Sequence, residues 1–301
     1  MGETGTTLVL QVGYRGAGFA GYAAQEGERT VQGEVERALE TLLRRPCETT
    51  CAGRTDAGVS ALAQYVSLPV EDGELAGREP RRMWRSLMAI TPEEVSIRGL
   101  YMAPAGFSAR FDALGRRYRY RIACGNAQPV MAWEHAWWLR SPLDAGLMDE
   151  AARALVGEHD FSSFCKVSSA QMLREAGRST SRLLREVRVS VQREAGEDLV
   201  MVDVEGNAFL HNMVRIMVGT LVEVGRGNRP PEWVAQALAA RDRRAAGPTA
   251  PARGLVLEDV RYAPDLLVPW DRALDNTGKS GGWRSIDLSK QTFCNKVLPR
   301  D

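Results

Sequence analysis

The chain has 301 residues, 44% of them apolar and 26% charged; these are globular values that exclude a disordered chain and suit one large or two ordinary domains. Its 39 basic and 38 acidic residues nearly cancel, so a polyanionic partner has to be held by local charge and not by the overall field. Only four of the basic residues are lysine (Lys166, Lys279, Lys290, Lys296), which leaves a chain rich in guanidinium, the group best matched to phosphate and carboxylate.

In chain order, Leu8–Val12 alternates and predicts a strand, followed by a glycine-rich turn from Gly13 to Gly21. Val31, Val35, Ala38, Leu39 and Leu42 then recur at helical spacing behind Thr30 as N-cap, up to a stop at Pro46. Strands are predicted over Glu48–Ala52 and Gln64–Leu68, on either side of the loop Gly53–Gly58. A short helix around Arg82–Met88 and a strand over Val95–Tyr101 close this half. The second half repeats the order, with a strand Arg116–Ala123, a helix Leu143–Val156 and strands Leu183–Arg193 and Leu199–Glu205 turning near Gly196. Helices Ala208–Val224 and Glu232–Ala240 and a last strand Leu255–Tyr262 follow. Two βαβ-like halves with antiparallel neighbours predict an α+β fold of ferredoxin-like halves, not a doubly wound parallel sheet. The boundaries expected are 1–105, 106–264, and an extension 265–301 without an assigned role.

Several function classes lose support here. Met1–Thr7 is polar, unlike a secretory signal, and no uncharged apolar run reaches membrane-spanning length; a soluble, non-membrane protein is expected. Met1–Thr6 fits the acylation pattern only loosely. Five scattered cysteines (Cys47, Cys51, Cys124, Cys165, Cys294) suit a reducing cytoplasm. Cys47 and Cys51, if on one strand, stand about 13 Å apart, too far to share an ion. Gly16–Gly21 matches G-x-G-x-x-G, but the helix opens only near Thr30, so no helix N-terminus meets a pyrophosphate. Gly278-Lys279-Ser280 lacks the first glycine of a phosphate loop, since Ala273 stands there.

Three features do point to chemistry. Asp56 lies in a glycine loop between apolar strands with Arg54 two residues away; a lone Asp there is otherwise a turn former. Arg215 is the only formal charge between Gly206 and Val222, on a helix apolar on all faces. A buried guanidinium needs a carboxylate or carbonyls, so Arg215 pairs either with a structural acid such as Glu205 or Glu223 or with Asp56. On the strand from Arg116, Tyr118 and Tyr120 share one face while Arg117, Arg119 and Arg121 share the other. That arrangement suits base stacking beside phosphate contacts, or a solvated face over a tyrosine-lined core.

These segments occur together, and in this order, in one family. The sequence resembles the TruA-type tRNA pseudouridine synthases in Tyr14-x-Gly16, Cys51–Val59 (CAGRTDAGV), Phe107-x-Ala109-Arg110-Phe111 and Arg116–Tyr120 (RRYRY). It does so again in Gly157-Glu158-x-Asp160-Phe161, Phe209-x-x-x-Met213-Val214-Arg215 and Thr249–Leu255, over about Leu8 to Pro264. The resemblance implies two ferredoxin-like, RRM-like halves sharing a central antiparallel sheet, a cleft between them, and a homodimer. It implies isomerisation of uridine to pseudouridine in the tRNA anticodon arm without metal or organic cofactor. It assigns Asp56 as the catalytic aspartate, Tyr118 as the base-stacking tyrosine, Arg215 as the cation paired with Asp56 and Arg54 as a basic residue beside the site; Arg117 and Arg119 are expected on RNA phosphates. The sequence departs from the family at Ser60 and Ser108, where histidine is usual, at Arg15 for the usual Asp, and at Tyr22-Ala23 for the usual Trp-Gln. The different-class alternative is an RNA-binding protein that keeps the fold and has lost turnover.

Overall fold

The first strand, β1 (Thr6–Tyr14), is covered on both faces: Leu8, Leu10 and Val12 enter the main core, while Val9 packs with Ala103, Phe107 and Ala109 on the other side. The structure is a computed structural model that describes residues 5–273; Met1–Thr4 with the start of the acylation pattern, Gly278–Ser280, Cys294 and the extension beyond Ala273 lie outside the described residues.

Helix α1 (Val31–Leu43) buries Val31, Val35, Ala38, Leu39 and Leu43, the stripe that a 3.6-residue period lays on one face. Thr30 Oγ1 accepts from the Gly33 amide at 3.3 Å, as the N-cap prediction requires. The helix stops before Pro46, at Arg44, which takes a left-handed φ of 58°. Strands β2 (Thr50–Cys51) and β3 (Ser60–Val70), helix α2 (Pro80–Ile90) and β4 (Val95–Pro104) complete the half. Its strand order is β4-β1-β3-β2 with every neighbour antiparallel, the ferredoxin-like arrangement. β2 is shorter than predicted because its ladder gives way to a side chain. The Gln64 amide donates to Gly53 O at 2.6 Å and accepts from Gly53 N at 3.2 Å, where strand pairing would otherwise continue.

The second half contains β5 (Gly115–Cys124), β6 (Trp137–Leu139), α3 (Ala145–Ala152), β7 (Gly157–Asp160) and α4 (Val167–Glu175). It continues through β8 (Ser181–Glu194), β9 (Glu197–Gly206), α5 (Met213–Gly225), α6 (Glu232–Ala240) and β10 (Leu255–Arg261). The order β10-β5-β9-β8 repeats the topology of the first half, and β7 adds an edge. Ala195 and Gly196 both take positive φ (48° and 88°), which joins β8 to β9 as a tight hairpin. A short β11 (Val268–Pro269) and α7 (Trp270–Ala273) return to pair with β4.

The halves fuse at one seam. β10 runs parallel to β3, with Val256 beside Ser60 and Leu257 beside Ala61, and antiparallel to β5 on its other side. The loops entering these strands therefore meet at one end of the sheet: 53–58 from the first half and 249–254 from the second. Two predicted helices are shorter than their sequence periodicity. α3 ends at Ala152 and continues as a 3-10 turn, Arg153–Leu155. α5 starts at Met213 and not at Ala208, because Asn207 Oδ1 takes the Ala208 amide at 2.7 Å and Asn212 is left-handed at φ 63°. The five residues thus removed from the helix form part of the site.

Candidate active site

The aspartate loop is held from both sides. Tyr14 Oη and Thr55 Oγ1 share a hydrogen bond of 2.8 Å, and the Tyr22 amide donates to Thr55 O at 3.1 Å. Gly16 and Gly21 explain the glycine-rich turn. A Cβ at Gly16 would lie 2.2 Å from Val59 O, and one at Gly21, whose φ is +117°, would lie 3.2 Å from Thr55 O. The G-x-G-x-x-G segment is therefore a wall against which the Asp56 loop is laid, which bars it from cradling a nucleotide. Ser60 belongs to the same wall, accepting the Gly16 amide at 3.0 Å.

Asp56 keeps a quarter of its side chain exposed and projects toward α5. Arg215 Nη1 donates to Asp56 Oδ2 at 3.1 Å, which settles its partner: Glu205 pairs instead with Arg261, and Glu223 with Arg226. The rest of the guanidinium is fixed, with Nε on Ala250 O at 2.8 Å and Nη1 also on Asn212 Oδ1 at 3.1 Å. The Ala250 amide returns a bond to Arg215 O at 3.0 Å. The segment 249–254 thus serves as a splint for this arginine, and Tyr120 Oη on Pro251 O at 2.7 Å anchors the splint to β5.

His211 completes the contacts of the carboxylate, and sequence reading did not single it out. Its Nε2 stands 3.5 Å from Asp56 Oδ1, and its Nδ1 shares a 3.0 Å hydrogen bond with Ser169 Oγ on α4. The available signal was a histidine four residues before Arg215 in a chain with only three. It was hidden by the periodicity that extended α5 through it.

Tyr118 lies on the same side of the sheet. Its ring meets Phe209 edge to face, centroids 5.0 Å apart, and its hydroxyl approaches the open side of Gly53. Burial pushes its phenol far above the ordinary range against a smaller downward pull from Arg116, so the ring is neutral and suited to stacking. Arg54 is exposed, and no ion pair is formed by it among the described residues.

Arg117 and Arg119 do not join this group. They lie on the opposite face of β5 and meet carboxylates from the neighbouring strands. Arg119 holds Asp203 through two bonds (2.7 and 3.1 Å), Arg117 holds Glu186 at 3.2 Å, and Arg121 holds Glu194 and Glu258. The alternation prediction was right about the faces; the acids that meet the arginines come from distant sequence. A cavity of about 430 Å³ lined by Leu62, Arg98, Arg121, Met131 and His135 reaches the back of the wall at Tyr14 and Ser60 but is not lined by Asp56, Arg54, Tyr118, His211 or Arg215. Among the described residues, no three His, Cys, Asp or Glu are grouped so as to hold a metal ion, and no helix is long and apolar enough to cross a membrane.

A family model described as tRNA pseudouridine synthase matches residues 151–263, which include Arg215. The tRNA pseudouridine synthase A of Frankia casuarinae is 46% identical over 263 residues, covering 86% of this chain and 90% of that protein. The chain belongs to the tRNA pseudouridine synthase A family. Its relatives of that name include those of Streptomyces avermitilis (42% identical; 86% of this chain, 89% of that protein) and Pseudomonas aeruginosa (39%; 87% of each). At Ser60 a short hydroxyl caps the Gly16 amide inside the seam. Ser108 also has a local role, with its Oγ 3.4 Å from the Phe111 amide and its own amide on Asp112 at 2.8 Å.

Proposed function

We propose that this protein isomerises uridine to pseudouridine in the anticodon arm of tRNA, with Asp56 as the catalytic residue. The observation that carries the reading is the Asp56–Arg215 ion pair of 3.1 Å, made between two halves of the chain and open to solvent on the carboxylate side. The reaction breaks the N1–C1′ bond, turns the uracil and forms a C5–C1′ bond; C5 releases its proton and N1 gains one, so composition is unchanged. A carboxylate opens the first bond by attacking C1′ or by taking a sugar proton, and both roles need the anion. Arg215 supplies a fixed positive partner for that anion, held by Ala250 and Asn212 so that it does not reorganise during the reaction. Tyr118 stacks on the freed base and keeps it from water. Arg54, exposed beside the loop and in no ion pair among the described residues, meets the backbone phosphate of the flipped nucleotide, whose unstacking costs a few kcal/mol. A homodimer in the cytoplasm, working without cofactor, belongs to the same reading.

Asp56→Asn tests it. Asn has the same shape and tolerates the turn, so the variant folds and binds tRNA within about tenfold of the parent, roughly 1.4 kcal/mol. Its pseudouridine yield on anticodon-arm RNA falls to background. Equal binding with no product from either protein would support the RNA-binding alternative, and parental turnover by the variant would make Asp56 a turn residue.

A further inference from the structure

Arg116 stands outside the reaction and yet is bonded to a segment from each half that borders it. Its side chain is buried, with 8% of the residue exposed, and no ion pair with a carboxylate is formed by it among the described residues. Its guanidinium makes five hydrogen bonds to four backbone carbonyls. Nε and Nη2 reach Ala52 O at 3.2 and 2.8 Å; Nη1 reaches Asn207 O at 2.6 Å and Ala113 O at 3.2 Å; Nη2 also reaches Arg110 O at 2.6 Å. Ala52 opens the loop that carries Asp56. Asn207 opens the loop that carries Phe209 and His211 and leads into α5, which carries Arg215. Arg110 and Ala113 belong to the exposed segment around Phe111.

We infer that Arg116 is a positioning residue that sets the distance between Asp56 and Arg215 by clamping the loops of the two halves onto one planar cation. The inference rests on the catalytic reading of Asp56. Physical reasons favour it over a merely buried arginine. A guanidinium presents five N–H groups in a rigid plane, and here that fork is fully used on loop carbonyls that have no ladder partners there. Lysine places a single ammonium and cannot span carbonyls on opposite sides of the plane. Asp56 and Arg215 come from different halves joined at one parallel seam, so the loops at its end need a cross-brace to hold a 3.1 Å contact. Carbonyls as sole partners also leave the positive charge uncancelled beneath the site, where it favours an anionic ligand.

The test uses the full chain with tRNA under single-turnover conditions. Arg116→Lys and Arg116→Ala are compared with the parent for rate, for tRNA affinity in an Asp56→Asn background, and for rate with and without millimolar guanidinium. The expected result is a loss of about 100-fold in rate for both variants with affinity within about threefold of the parent, since small misplacement of reacting groups is felt in turnover first. Added guanidinium restores a large part of the rate to Arg116→Ala and none to Arg116→Lys, whose ammonium occupies the space. A purely structural role would lower the melting temperature and leave rate and rescue unmoved at a temperature where both variants are folded; that outcome overturns the inference, as does failure of both variants to fold. No product from the parent defeats the catalytic reading itself, a distinct result.

Discussion

At the scale of single residues, the site is a short list of side chains centred on the Asp56 carboxylate. Arg215 spends its N–H groups on Asp56, Ala250 and Asn212, so its substitution has two effects. Arg215→Met leaves Asp56 without its fixed cation and two acceptors without donors. Turnover should drop by about 100-fold, the loss typical of one preorganised electrostatic partner. Stability should fall by only about 1–2 kcal/mol, because the quarter-exposed carboxylate is reached by water and is not stranded in a dry interior. Single-turnover rates beside urea unfolding separate the two; a parental rate with lowered stability would make the pair structural. His211, on the other carboxylate oxygen, ties Asp56 to α4 through Ser169, a link between the site and an exposed helix.

At the scale of elements, α5 carries the tightest constraint. Gly219 faces the returning segment so closely that a Cβ there would lie 1.8 Å from Pro248 O. The obstacle is backbone and cannot swing aside, so Gly219→Ala must push α5 away from residues 248–250. That separation breaks both bonds between Arg215 and Ala250. We expect a destabilisation of about 3 kcal/mol, the upper end for overpacking. Gly27→Ala is the control: φ is +76° but the space around it is empty, so only left-handed strain of about 1 kcal/mol applies. Denaturant midpoints measure both, and equal midpoints would show that α5 and its splint are free to slide.

For the whole molecule, charge is sorted by face. The far side of the sheet is a lattice of arginines and acids, and Asp203 within it is nearly buried at 4% exposure. Arg119→Ala strands that carboxylate and should cost about 3 kcal/mol. It should leave the salt dependence of tRNA binding as it is in the parent, since Arg119 is already neutralised. Arg54→Ala should do the reverse, reducing the slope of log affinity against log salt by about one with stability unchanged. A flatter slope in the Arg119 variant would place RNA on the far face. Acid sensitivity has an origin away from the site, at Asp160. Burial pushes Asp160 upward, but hydrogen bonds from Ser162 and Thr180 outweigh it and hold the carboxyl below its usual range. A depressed carboxylate stabilises the fold above its unfolded value near about 3.9, and the contribution fades as pH falls through the folded one. Unfolding followed from pH 7 down to about pH 3 should therefore decline less steeply for Asp160→Asn than for the parent. Parallel curves would assign the acid limb to other groups.

Local rules, read from the sequence alone, were enough for the α+β class, for α1 with its Thr30 cap, for α6 to the residue, and for the facing of Tyr118 against Arg117 and Arg119. Each of these follows from periodicity or capping over a few neighbouring residues. Motif order was enough to bring Asp56, Tyr118 and Arg215 to attention. Tertiary structure decided what local pattern cannot encode. The parallel seam of β3 and β10, made by residues nearly two hundred positions apart, selects Asp56 over Glu205 and Glu223 as the partner of Arg215. Side chains of Gln64 and Asn207 divert backbone that periodicity would extend as strand and helix, and those diversions expose the aspartate loop and His211. Sequence alternation leaves Arg117, Arg119 and Arg121 as unpaired charges on one face of β5; the acids that meet them, Glu186, Asp203, Glu194 and Glu258, come from other strands, because pairing across strands depends on register, and register is a property of the assembled sheet.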